Sequence, residues 1–89
     1  MSDSDRFFLR SGNLSWRRVG DEVVVLDLRE TVCMTLNASG ALLWEQLVNG
    51  ATSSQLVANL TQHFAVDPSQ AAVDVADFLA RCRAEKMLA

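Results

Sequence analysis

Three short strand-like runs come before three stretches with helical spacing, and an 89-residue chain in that order has few ways to build one core. Leu14 to Val19 and residues 22–28 read as two strands joined by Gly20-Asp21, a two-residue turn whose residues tolerate positive φ. Val23, Val24, Val25 and Leu26 are mostly stiff at χ1 and suit a pleated surface, and Asp27 interrupts the apolar run near its end. Arg29-Glu30-Thr31 reads as a second turn. A third strand, Val32 to Leu36, then places Val32, Met34 and Leu36 on one face and Cys33 and Thr35 on the other. The first face is expected to pack inward and the second to be partly wet.

The helices announce themselves by caps. Asn37 suits an N-cap, and Leu42, Leu43, Leu47 and Val48 follow at helical spacing until Asn49-Gly50 stops the run. Thr52 and Gln55 have capping-box spacing, and Leu56, Val57, Leu60 and Phe64 continue as an amphipathic stripe. Asp67-Pro68-Ser69-Gln70 repeats the start signal, with Pro68 at the first helical position and Gln70 placed to reach back to the cap. In this last helix Ala71, Val75, Phe78, Leu79 and Cys82 form the apolar stripe, with Asp74, Asp77, Arg81 and Glu85 off it. The expected fold is α+β, a three-stranded antiparallel sheet followed by three helices that cover one face. Residues 1–13 are expected to form a flexible N-terminal tail and residues 14–89 the folded domain.

Composition removes several function classes. No apolar run approaches the roughly 18 residues of a membrane span, and Phe7-Phe8-Leu9 is too short for a secretory signal, so the expected location is cytoplasmic, with no membrane partner. Cys33 and Cys82 lie far apart, and neither has a second cysteine or histidine at metal-ligand spacing. With His63 the only histidine, the reading is two reduced thiols, no metal and no Cys/His nucleophilic pair. The four glycines form no phosphate-binding loop, and no cofactor is expected. Asp74 and Asp77 could act as a carboxylate pair, but Asp77 and Arg81 have the spacing of an ordinary surface ion pair. Trp44 falls within its helix's apolar periodicity and reads as core, whereas Trp16 is open to either a core or a binding role. The chain is expected not to be an enzyme.

A hairpin with three helices also suits a winged-helix nucleic-acid binder, and charge decides against that reading. Eight basic residues face eleven acidic ones, a net charge of −3, and no Lys or Arg occurs between Arg29 and Arg81. The first two helices would therefore meet a phosphate backbone with no cation. What remains is the sheet edge. In a simple meander the third strand is an edge with half its backbone N–H and C=O groups unpaired, and Val32 to Leu36 carries no Pro, Lys or inward charge to block another strand. The edge is open to an added peptide, to a second protein or copy, or to cover by the N-terminal segment or the third helix.

The run Val24 to Asp27, then Thr35-Leu36-Asn37-Ala38-Ser39-Gly40-Ala41 and Trp44, resembles the PqqD-like family of RiPP recognition elements. So do Leu56-Val57, Leu60, Phe64, Val66-Asp67-Pro68, Asp74-Val75 and Phe78-Leu79, in the same order, so that the likeness runs from about Trp16 to Leu88. The resemblance implies a winged-helix-like fold in which the leader region of a precursor peptide adds as a strand beside the third strand, clasped by the last helix. Carried over by position, Val32, Cys33, Met34, Thr35 and Leu36 supply the edge, and Ala72, Val75, Ala76, Leu79, Ala80 and Arg83 the facing helix. It implies a stand-alone module working beside a separate enzyme. That enzyme is a leader peptidase in lasso-peptide biosynthesis or, alternatively, a radical SAM enzyme served by a pyrroloquinoline quinone-type peptide chaperone. Family members often carry aromatics where Cys33 and Met34 stand and Gly near Met87, so the family's pocket shape does not carry over to this chain by resemblance alone.

Overall fold

A computed structural model describes residues 5–89. In chain order the elements are β1 (Arg6–Phe7), β2 (Leu14–Val19), β3 (Glu22–Asp27), β4 (Val32–Leu36), α1 (Ala38–Val48), β5 (Ala51–Thr52), α2 (Ser53–His63) and α3 (Pro68–Ala84). The expected α+β order is present, with β2, β3 and β4 forming a three-stranded antiparallel meander. Gly20, at φ 65°, supplies the positive dihedral that a two-residue hairpin loop needs at its first central position.

The inward face of the sheet carries Val23, Val25, Met34 and Leu36, all nearly inaccessible, and the helices pack Ala41, Leu43, Trp44, Leu47, Leu56, Leu60, Val75 and Cys82 against them. Trp44 is core, as its periodicity implied, while Trp16 remains 38% exposed. The caps form where expected. Asn37 accepts from the Gly40 N–H, and Thr52 and Gln55 make the full capping box. Asp67 accepts from the Ser69 N–H, but Gln70 does not reach back; its Nε2 donates to Asp74 Oδ1 at 2.9 Å.

The segment read as a tail departs most from expectation. Residues 1–4 lie outside the described part, but the chain from Arg6 to Asn13 is tied into the fold by hydrogen bonds. β1 pairs with β5, Leu9 bridges Leu88, and the Arg10 N–H donates to Met87 O at 2.8 Å. Gly50, at φ 86°, leaves room for the Phe8 ring, where a Cβ would come within 2.3 Å of it. Arg10 anchors the strap. Its guanidinium grips the carboxylate of Asp27, a residue with no accessible surface, through Nη2 to Oδ1 at 3.0 Å and Nη1 to Oδ2 at 3.3 Å. Asp27 also accepts from the Arg29 and Glu30 N–H groups, which shapes the β3–β4 turn. The hydrogen bond from Arg10 is the largest cause holding the Asp27 carboxyl down at about 2, and the same bond raises Arg10.

Candidate functional site

The phase of the backbone ladder determines which β4 groups are free. Val19 and Glu22 flank the two-residue loop and so form a hydrogen-bonded pair, and the Leu28 N–H to Asn13 O bond at 2.9 Å marks the same phase at the far end of the hairpin. Glu22, Val24 and Leu26 therefore direct their backbone groups to β2, and Val23, Val25 and Asp27 direct theirs to β4. The β4 partners of that second set are Leu36, Met34 and Val32. It follows that Cys33 and Thr35 point both N–H and C=O away from the sheet. Among the described residues no strand pairs with this side of β4. The N-terminal segment, one expected cover for the edge, is engaged with β5 instead.

Beside this edge lies a groove of about 500 Å³ between β4, the start of α1 and α3. Leu36, Leu43 and Phe78 give it an apolar floor, and Thr35, Asn37, Ser39, Asp74, Asp77 and Arg81 form its rim. The meander places Leu36 there. Asn37 caps α1 immediately afterwards and turns the chain under the groove, and the 3.6-residue period brings Asp74, Asp77, Phe78 and Arg81 to one flank of α3.

The sequence-derived site residues separate into three groups. Thr35 and Leu36 line the groove, and Cys33 is exposed on the same edge, while Met34 is 3% exposed and faces the core and Val32 is half-buried. Val75 and Leu79 are buried in the core, so they support α3 rather than line the groove. Ala72, Ala76, Ala80 and Arg83 are exposed on α3 but lie off the groove wall; Arg83 borders a separate cleft with Arg6, Phe7 and Phe8. Sequence reading missed Asp74, Asp77, Phe78 and Arg81 as groove residues. The one available signal was that they sit off or at the margin of the apolar stripe, which identifies an exposed flank but not what it faces. The expected Asp77–Arg81 ion pair is not formed; the ion pairs among the described residues are Arg10–Asp27 and Arg18–Glu45.

Asp74 and Asp77, weighed in the sequence as a carboxylate pair, both stand on the rim of this groove. Among the described residues no three His, Cys, Asp or Glu side chains gather to hold a metal, and no helix is long and apolar enough to cross a membrane. Burial, the larger of two opposing effects, pushes the Cys82 thiol up to about 11, which makes it a poor nucleophile. An unpaired edge beside an apolar-floored groove is suited to holding an extended chain.

Comparison with known proteins gives one family match and two solved structures of similar fold. The model of the family described as coenzyme PQQ synthesis protein D (PqqD) matches residues 22–88. The structure of TbiB1 in complex with the TbiA(beta) leader peptide superposes with a TM-score of 0.80 at 27% identity, covering 88% of this chain and 91% of that one. A lasso peptide synthetase B1 complexed with the leader peptide gives a TM-score of 0.81 at 25% identity, over 93% and 96% of the two chains. Among curated proteins none matches.

Proposed function

The chain belongs to the PqqD family, and on that footing we propose that it is a RiPP recognition element that captures the leader of a ribosomally made precursor peptide and presents it to a separate enzyme. The observation that carries this reading is the open β4 edge facing the α3 groove, in a fold shared with two proteins solved bound to leader peptides. The leader adds as a strand beside β4. Cys33 and Thr35 offer two N–H and two C=O groups, at about 0.5–1.5 kcal/mol per bond, and an apolar leader side chain over Leu36, Leu43 and Phe78 adds roughly 1.5–3 kcal/mol. Ordering the leader subtracts from this, which leaves a dissociation constant between about nanomolar and micromolar.

The role is binding, with the chemistry on another protein. The likeness to lasso synthetase B1 proteins favours a leader peptidase as that partner, followed by a cyclase; the family description favours a radical SAM enzyme of pyrroloquinoline quinone assembly as the second reading. Calorimetric titration with synthetic leader peptides of both precursor classes tests the proposal and separates the two. Saturable binding to one class at micromolar affinity or better is the expected result. No binding to either, with duplex DNA bound in a steeply salt-dependent manner instead, would overturn it.

A further inference from the structure

The groove wall is charged in a definite order. Arg10 bonds both Lys86 O, just past the end of α3, and Asp27, whose β4 partner is Val32, while Leu36 shares the groove with Asp74 through Arg81. α3 therefore runs antiparallel to β4. Its acidic end, Asp74 and Asp77, lies by Leu36 and the start of α1, and Arg81 lies further toward the Val32 end. Asp77 and Arg81, although four apart, make no hydrogen bond or ion pair among the described residues, so both charges face the groove uncommitted. Asp74 is partly engaged by Gln70. The α1 N-terminus brings roughly half a positive charge to the acidic end, less than the two carboxylates there.

Resting on the leader-binding reading, we propose that this wall sets leader specificity by charge: the groove selects a leader strand with a basic residue at the Leu36 end and an acidic residue at the Val32 end. The spacing follows from geometry. Asp77 to Arg81 spans four helical residues, about 6 Å at 1.5 Å each, Asp74 to Arg81 seven, about 10 Å, and a strand advances about 3.3 Å per residue. That is about two to three strand residues. Side chains on one face recur every second residue, so the selected pair is two or four positions apart, and the four-residue spacing leaves an inward-facing residue between them over Phe78. Asp77 and Arg81 are the specificity-determining residues, and both are exposed.

Display selection of a random 15-residue peptide library on the immobilised protein, with each enriched peptide then titrated, is the direct test. Wild type is expected to enrich Lys or Arg paired with Asp or Glu at the stated spacing, and Asp77→Lys with Arg81→Glu is expected to enrich the reversed order. For one enriched peptide, reversing Arg81 alone should weaken binding about fivefold or more at low salt, and less at 1 M salt. Peptides that bind at the β4 edge with no charge preference, or with the same preference after the double reversal, overturn the specificity claim and leave leader binding standing. A library from which nothing binds overturns both. Circular dichroism confirms that the exposed substitutions leave the fold intact.

Discussion

Proline placed along β4 should divide its residues by parity. Cys33 and Thr35 direct their N–H groups outward, so Cys33→Pro and Thr35→Pro remove no ladder bond within the sheet, and each residue before them is already extended. Each removes one donor to the proposed leader strand and sets a ring against it. One hydrogen bond is worth about 0.5–1.5 kcal/mol, and the ring's obstruction adds to that, so the expected loss is at least tenfold in leader affinity, about 1.4 kcal/mol. Met34→Pro has the opposite effect. Met34 is 3% exposed and pairs with Val25, so the change deletes a buried side chain at roughly 2–5 kcal/mol and a ladder bond at about 1 kcal/mol more. At roughly 0.05–0.15 kcal/mol per residue the whole domain has only about 4–13 kcal/mol, so this variant is expected to lose a large part of its stability and to melt well below the Cys33 and Thr35 variants. Circular dichroism melts measure the fold and calorimetric titration the affinity. If the Cys33 and Thr35 variants are folded and bind leader like wild type, the leader does not pair with β4; if Met34→Pro is as stable as they are, the ladder phase is wrong.

Acid should act through the strap. Asp27 is held at about 2 against its ordinary 3.8, so the stability it contributes is complete above pH 3.8 and is lost as pH falls through about 2. Arg10→Met should therefore unfold at lower urea than wild type at pH 5, and the gap should narrow by pH 2; a gap independent of pH would exclude the ion pair as its cause. The two thiols should differ sharply. Cys33 is exposed and is expected to react with a thiol reagent in the native state, whereas Cys82, buried and with its thiol pushed up to about 11, should react only on unfolding. Correspondingly, Cys33→Ser should change stability by less than about 0.5 kcal/mol and leader affinity by less than about tenfold, while Cys82→Ser should cost about 1–3 kcal/mol, as read from thermal melts.

The features legible in the sequence are those with a local cause. The Gly20-Asp21 turn, the alternation from Val32 to Leu36, the Asn37 cap and the Thr52–Gln55 box each depend on residues within one turn or strand, and each forms as read. The order of strands before helices then implied the meander and its free edge. What stayed hidden joins distant residues. Nothing in Arg6-Phe7 points to Ala51-Thr52, and an Asp at the end of an apolar strand looks like a turn signal until Arg10, 17 residues earlier, is seen to neutralise it. The groove wall is the same kind of case. Helical periodicity identifies Val75 and Leu79 as inward but is silent on which exposed flank meets β4, so the alanine face and the Asp74–Arg81 flank were equivalent until the direction of α3 was known.

Amide hydrogen exchange, resolved by residue with and without bound leader, interrogates the β4 edge itself. Val32, Met34 and Leu36 already donate within the sheet, so their protection should change little, while the Cys33 and Thr35 amides should pass from exposed to at least about tenfold protected on saturation. The far edge of the sheet, where Leu14, Trp16 and Arg18 direct their groups outward, should show no change. Protection gained on that far edge, or a leader bound tightly with Cys33 and Thr35 still exchanging freely, would contradict strand addition at β4.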